Sequence, residues 1–96
     1  MRVLPLAALH RALEDPDTYV QHSAVLALDR LPDRGSFPFL FKALENTAIL
    51  DDVSDLFVRH KDLFRDLLEE AWRTADSRRE VMIAAILQAM KRRDGA

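Results

Sequence analysis

The stretch DPDTYVQHSAVLALDRLPD, residues 15–33, carries both a start signal and a stop signal for one helix. Asp15-Pro16-Asp17 offers a capping carboxylate followed by a proline at the first helical position, where the missing N–H costs no hydrogen bond. Leu31 precedes Pro32, which disfavours further helix. Between these corners apolar residues recur at helical spacing, at Val20, Ala24, Ala27, Leu28 and Leu31. The stretch therefore predicts one amphipathic helix between two acidic, proline-bearing corners.

The rest of the chain continues this pattern of helices and corners. Glycine and proline occur only at positions 5, 16, 32, 35, 38 and 95, and strand-like alternation is nowhere sustained. We expect an all-α fold of five to six helices. Besides the opening stretch, the predicted helices are one over about 4–14 that begins near Pro5, one over about 37–45 capped by Ser36, one from about 48, one ending near 74, and a last one that follows a Ser77/Glu80 capping box.

One helix boundary is ambiguous, because no Gly or Pro lies between Pro38 and Gly95. Large side chains keep a helical spacing from Val53 to Ala71, straight across residues 59–62. One long helix over about 48–74 and two helices divided near 60–62 are therefore both consistent with the pattern. We favour the division, with Asp62 as the cap of the second helix.

Composition limits the class of protein. A chain of 96 residues with 49% apolar and 31% charged residues is expected to form a single soluble domain over residues 1–96. A net charge of −2 and a pI near 5.9 disfavour a general binder of nucleic acid. The absence of cysteine is compatible with the reducing cytoplasm, where we expect the protein. No stretch approaches the roughly 18 consecutive apolar residues of a membrane span.

The residues that usually carry chemistry are not grouped into a recognisable site. His10, His22 and His60 lie in different predicted helices and lack metal-ligand spacing; we expect His10 and His22 to be exposed. Glycines at 35 and 95 alone leave no room for a G-x-S-x-G motif or a phosphate loop. We therefore predict no catalytic, metal or cofactor site, and a protein that is not an enzyme.

An internal repeat is the most informative pattern in the chain. Residues 9–15, LHRALED, match residues 40–46, LFKALEN, at an offset of 31, and a weaker third copy begins at Leu68. The repeats cover approximately residues 3–33, 36–60 and 61–93. Each unit is a helix, an acidic or amide corner and a second helix. A two-helix hairpin cannot bury its own apolar stripe, so about three such units must stack to be stable.

The pattern Leu-x-x-Ala-Leu-x-Asp-Pro-Asp-x-x-Val-x-x-x-Ala-x-x-Ala-Leu-x-x-Leu, at Leu9 to Leu31, resembles the HEAT repeat, an armadillo-like helical hairpin that stacks into α-solenoids. The position after Val20, often arginine in that family, is Gln21 here. The resemblance implies an α-α superhelix of about three hairpins that acts as a non-catalytic scaffold for another protein. An accessory component of an enzyme system, lyase-like or nucleic-acid-processing, is the alternative. Self-association through the end hairpins is a third.

The resemblance also implies which residues meet a partner. In such arrays the second helix of each hairpin lines the concave side, which assigns Gln21, Val25, Asp29, Asp52, Arg59, Arg79 and Glu80 to the partner-binding surface. Tyr19 and Phe39 are candidate exposed anchors, because aromatic residues are frequent among interface hot spots; for Phe39, packing against a neighbouring hairpin is the alternative. Trp72 aligns with Leu13 in the repeat and is predicted to lie in the core.

A group of cations near the C-terminal end of the sequence has two interpretations. It could contact an acidic partner, or it could simply balance the helix dipole and add solubility, which we favour. The cations are Arg78, Arg79, Lys91, Arg92 and Arg93.

Overall fold

The structure, a computed structural model, describes residues 6–95, and all regular structure in that range is helical. Helix content is 81% with no strand, which confirms the all-α class and the predicted number of helices. The helices are α1 (Leu6–Ala12), α2 (Thr18–Arg30), α3 (Phe37–Ala43), α4 (Leu50–Arg59), α5 (Lys61–Thr74) and α6 (Ser77–Gly95), and a 3-10 turn at Arg34–Ser36 precedes α3. The predicted start of the first helix at Pro5 lies outside the described residues.

The chain forms two compact units, Met1–Leu56 and Phe57–Ala96, with the division inside α4. In the first unit α1 packs on α2, and in the second α5 packs on α6. These are helical hairpins of the kind that the repeat predicts. The organisation of residues 1–96 as one domain of three repeats stays a prediction. Within residues 6–95 no helix has both the length and the apolar character needed to cross a bilayer.

The corner before α2 differs in detail from the prediction. Asp17, in extended backbone, is the N-cap of α2, and its carboxylate accepts a hydrogen bond from the Tyr19 N–H at 2.8 Å. Asp15 instead accepts from the Asp17 N–H at 2.8 Å, which makes a turn before the helix, and Pro16 lies inside that turn. The capping carboxylate is therefore Asp17 and not Asp15. At the other end α2 stops at Arg30, as the proline at position 32 predicts.

The corner after α3 repeats the corner after α1. The carboxylate oxygen of Asp15 accepts from the N–H two residues later, and the amide oxygen of Asn46 does the same from the Ala48 N–H at 3.0 Å. Asp15 and Asn46 are equivalent at the offset of 31. Short polar side chains that bond to backbone two residues ahead stabilise such turns locally.

The apolar residues of the repeat also share their environment. Leu9 and its equivalent Leu40 are 7% and 1% exposed, and Leu13 and its equivalent Leu44 are 3% and 4% exposed. The repeat seen in the sequence is therefore also a repeat of local structure, at least between its first two copies. The remaining core side chains of this unit are Ala24, Val25, Leu28, Ala43, Ile49, Val53 and Leu56.

The ambiguous boundary is resolved in favour of two helices. α4 ends at Arg59 and α5 begins at Lys61, because His60 has φ −110° and ψ 41°, outside the helical region. His60 occupies the N-cap position without a capping side-chain bond. The predicted cap Asp62 lies instead within the first turn of α5, where its negative charge favours the positive end of the helix dipole.

The core of the second unit forms where α5 packs on α6. Phe57 and Phe64 are fully buried and meet edge to face with their ring centroids 5.1 Å apart. The other core side chains of this unit are Leu68, Ile83, Ile86 and Met90. Trp72 departs from the prediction of a core position: it is 43% exposed, so the repeat alignment with the buried Leu13 does not hold there.

The start of α6 is capped by the residue before the predicted one. The Asp76 carboxylate accepts a hydrogen bond from the Arg79 N–H at 2.9 Å, and Ser77 is the first residue of the helix. A carboxylate three residues before the bonded N–H satisfies one of the free donors of the first turn.

Candidate functional site

One face of α2 is exposed and carries two large apolar side chains. Tyr19 is 85% exposed and Leu26 is 60% exposed. Together with the exposed Ser23 and Arg30 they follow the helical spacing of four, three and four residues, so they form one row along the helix. We call these four residues the α2 stripe. The opposite face of α2 is buried.

The partner-facing row predicted on α2 lies at the edge of its buried face. Val25 is 2% exposed and belongs to the core beside Ala24 and Leu28, so its assignment to a surface is wrong. Gln21 and Asp29 are part-buried. The prediction took the orientation of α2 from the family, whereas the apolar side chains around Leu28 determine which face turns inward.

Gln21 connects the two equivalent corners of the first unit. Its side-chain amide N–H donates to the backbone carbonyl oxygen of Asp15, and its amide oxygen accepts from the Asn46 side chain at 2.9 Å. Both the N–H donor and the oxygen acceptor of the Gln21 side-chain amide therefore make hydrogen bonds within the molecule. Gln21 can bridge the corners at Asp15 and Asn46 only because the fold brings these two corners together. A local sequence pattern does not indicate that contact.

His10 contacts two residues of the segment at 36–39. A hydrogen bond of 2.8 Å joins His10 Nε2 and the hydroxyl of Ser36, and the His10 ring stacks on the Phe39 ring with centroids 4.0 Å apart and an interplanar angle of 10°. Ser36 occupies the predicted N-cap position of α3, but its buried hydroxyl makes no capping bond and pairs with His10 instead. The prediction of a simply exposed His10 is wrong.

The surroundings of His10 disfavour protonation of its imidazole. Burial lowers the pKa of His10 below its ordinary value of 6.5, and the nearby carboxylate of Asp33 opposes that effect only in part. A neutral imidazole bonded to a serine hydroxyl is the pairing found in serine nucleophiles. Here the hydroxyl is buried, so an incoming substrate would not reach it, and the bond instead holds α1 to the start of α3.

A small pocket lies beside the His10–Phe39 stack. It has a volume of about 300 Å³, with Leu13 and Ala43 in its floor and Glu14 and Lys42 at its edge. Lys42 Nζ donates to Glu14 at 2.9 Å, and this hydrogen bond raises the pKa of Lys42. Within residues 6–95 no group of three or more histidine and carboxylate side chains is placed to hold a metal ion.

A larger groove runs along α5 and α6 in the second unit, with a volume of about 740 Å³. Trp72, Ala84 and Leu87 supply its apolar surface. The polar and charged side chains that also line it are Arg65, Glu69, Arg73, Gln88, Lys91 and Asp94. We call it the α5–α6 groove. This groove was not predicted from the sequence, because the repeat alignment placed Trp72 in the core.

One end of the α5–α6 groove is held by an ion-pair cluster. The Asp94 carboxylate accepts hydrogen bonds from Lys61 at 2.7 Å and from Arg65 at 2.5 Å. These two bonds lower the pKa of Asp94. The cluster ties the last turns of α6 to the first turns of α5.

The other predicted surface residues are divided between the two units. Phe39 is 43% exposed, as expected for an anchor, although one face of its ring is covered by His10. Asp52 is paired with His22 Nδ1 at 2.6 Å, so His22 is not a simply exposed residue. Arg59, Arg79 and Glu80 are exposed in the second unit. Leu26 is an exposed apolar residue that the sequence analysis did not single out, whereas Trp72 is an exposed residue that it placed in the core.

Comparisons of the chain with protein-family models, with curated proteins and with solved structures found no significant match in any of the three.

Proposed function

We propose that this chain is a HEAT-like α-solenoid of three hairpins that works as a non-catalytic protein–protein interaction module of the cytoplasm. Two observations support the architecture: the corner around Asp15 recurs around Asn46, and α1–α2 and α5–α6 each pack as a hairpin. The α2 stripe is the single observation that carries the binding function.

The α2 stripe supports protein binding because of the size of its exposed apolar side chains. Burial of a large apolar side chain contributes about 1.5–3 kcal/mol relative to leaving it in water. Tyr19 and Leu26 both lie two turns apart on one face, and a partner helix or loop would cover them together. Tyr19 is also a predicted anchor, and it belongs to the second helix of its hairpin, the helix that faces a partner in HEAT-like arrays.

Two observations favour binding over catalysis. The Ser36 hydroxyl that pairs with His10 is 1% exposed, and the pocket beside that pair is lined by a mixed set of side chains in which Lys42 and Glu14 already satisfy each other. General acid–base or nucleophilic catalysis needs a reactive group that the substrate can reach. The proposal that the protein is not an enzyme rests on these contacts.

The test compares captured proteins for three forms of the chain. Wild type, the double variant Tyr19→Ser/Leu26→Ser and the control Val81→Ser are immobilised and exposed to an extract of the cells that carry the gene. Val81 is 70% exposed on α6, so the control removes an exposed apolar side chain outside the α2 stripe. We expect a defined polypeptide that wild type and Val81→Ser retain and that the double variant loses.

Two results would contradict the proposal. Equal capture of the same polypeptides by all three forms would show that the α2 stripe is not the binding surface. Retention of a nucleic acid or a pigment instead of a polypeptide would support the alternative, an accessory role in an enzyme system, and binding to nucleic acid would then weaken steeply with salt.

A further inference from the structure

The α5–α6 groove has the dimensions of a docking site for one short helix. Its lining residues on α5 are Arg65, Glu69, Trp72 and Arg73, and those on α6 include Ala84, Leu87, Lys91 and Asp94. On each helix they follow the spacing of one helical face, with members three, four, seven or eight residues apart, so each helix contributes one continuous face. At about 1.5 Å per residue the groove spans two to three helical turns. An amphipathic helix binds in such a groove through residues spaced i, i+3, i+4 and i+7.

Trp72 supplies an apolar anchor in this groove. Its side chain is 43% exposed, whereas the core of the unit is formed by other residues, among them Phe64 and Leu68, both fully buried. Trp72 therefore leaves a large apolar area in contact with solvent beside Leu87. Tryptophan is among the residue types most enriched in binding hot spots, because one side chain buries a large area.

The charges in and around the groove favour an acidic occupant. The charged residues that line the groove are three cations, Arg65, Arg73 and Lys91, and two carboxylates, Glu69 and Asp94. The Asp94 carboxylate is shared by Arg65 and by Lys61, so the cations are in excess at that end. Lys91 adds an exposed cation on α6. Residues 57–96 carry nine Lys and Arg against seven Asp and Glu, whereas residues 1–56 carry five against nine. The groove thus lies on the cationic part of a chain that is acidic as a whole.

We infer that the α5–α6 groove binds a short acidic amphipathic helix of another protein, which places its apolar face on Trp72 and Leu87 and its carboxylates near Arg65 and Lys91. This inference builds on the proposed binding function but uses a surface other than the α2 stripe. The opposite charges steer the partner and fix its orientation, and the apolar contact supplies most of the affinity.

Trp72 is the only tryptophan of the chain, so its fluorescence reports directly on the groove. The probes are two synthetic amphipathic helical peptides of about 14 residues without tryptophan, with identical leucine positions and either glutamate or lysine on the polar face. We expect the glutamate peptide to shift the Trp72 emission to shorter wavelength and to bind at least tenfold more tightly than the lysine peptide. Its affinity should fall as salt is raised.

A pair of charge-reversal variants then locates the binding site. Lys91→Glu changes a residue of the groove, whereas Arg92→Glu makes the same change in charge at the next residue, which does not line it. We expect Lys91→Glu to weaken binding of the glutamate peptide about tenfold and Arg92→Glu to weaken it less than twofold. Circular dichroism melting establishes that both variants are folded.

Several outcomes would overturn the inference. They are equal affinity for both peptides, equal weakening by Lys91→Glu and Arg92→Glu, and an unchanged emission at millimolar glutamate peptide. Self-association of the chain that disappears in Trp72→Ala would assign the groove to a second copy instead. The Tyr19→Ser/Leu26→Ser variant should bind the glutamate peptide like wild type, which separates a failure of this inference from a failure of the proposed function.

Discussion

Ser36 is a small polar residue whose buried hydroxyl connects two helices. The hydroxyl is 2.8 Å from His10 Nε2, and Phe39, one turn further along α3, covers a face of the same imidazole. The histidine is thus fixed by a hydrogen bond at one edge and by stacking on one face. At the scale of single residues, this contact sets the position of α1 on the segment that opens α3.

Replacement of Ser36 by alanine should lower stability by about 1 kcal/mol, because it removes a hydrogen bond to His10 from a buried position. Ser23→Ala is the matched control, since Ser23 is exposed on α2. Urea unfolding monitored by circular dichroism measures both changes. A loss no greater for Ser36→Ala than for Ser23→Ala would mean that the hydrogen bond makes no net contribution.

His10 should also make stability depend on pH. Its folded pKa lies below the ordinary value of 6.5, so the unfolded chain binds the proton more readily. The contribution of His10 is complete above about pH 6.5 and decreases as the pH falls from 6.5 toward the folded pKa. We expect wild type to lose more free energy of unfolding between pH 7.5 and 5.5 than His10→Gln does, and an equal loss in both would contradict the assignment.

At the scale of helices, the ends are fixed by carboxylates that bond to backbone N–H groups. Asp17 does this for α2 and Asp76 for α6. In both cases the sequence indicated the correct corner but the wrong residue, Asp15 in one and Ser77 in the other. Several neighbouring polar residues can serve as a cap, and the choice among them depends on the path of the chain before the helix, which a local pattern does not contain.

Replacement of the cap at Asp17 by alanine should destabilise the protein by about 1 kcal/mol, because one N–H of the first turn of α2 loses its acceptor. Asp17→Asn keeps an oxygen acceptor at the same place and should cost clearly less. Thermal unfolding of the two variants checks this order. If both variants lose the same stability, the charge of Asp17 and not its hydrogen bond is the stabilising factor.

The helices and their number could be predicted from the sequence, whereas much of the candidate surface could not. Apolar spacing and proline position gave α2, and the division of the long apolar pattern near residue 60 was favoured correctly. Val25 and Trp72 were misplaced in opposite directions, one on the surface and one in the core. Periodicity shows that a helix has an apolar face, but only its packing partner decides which border residues that face includes.

At the scale of the whole molecule, stability depends on the buried side chains that form the core of each unit. Phe64 is fully buried and packs edge to face on Phe57, whereas Trp72 on the same helix is 43% exposed. These two aromatic residues lie about two turns apart on α5 but in different environments. Phe64 belongs to the core, and Trp72 lines the α5–α6 groove.

Phe64→Ala should cost about 3–5 kcal/mol, the range for large-to-small substitution in a core. That loss is a large part of the roughly 5–15 kcal/mol that stabilises a typical domain, so the variant should unfold at a much lower temperature than wild type. Trp72→Ala should cost much less, because its side chain already contacts water. Differential scanning calorimetry measures both, and similar losses would place Trp72 in the core after all.

The recurring corner has a consequence for how such a chain can change its length. The turns at Asp15 and Asn46 are each closed by a side-chain bond that reaches only two residues ahead, and Gln21 then joins the two turns. A duplication or deletion in the gene that spans 31 codons would add or remove a segment that brings its own turn with it. If the chain is the stacked array proposed above, it could change its length by whole hairpins, each of which carries its own turn.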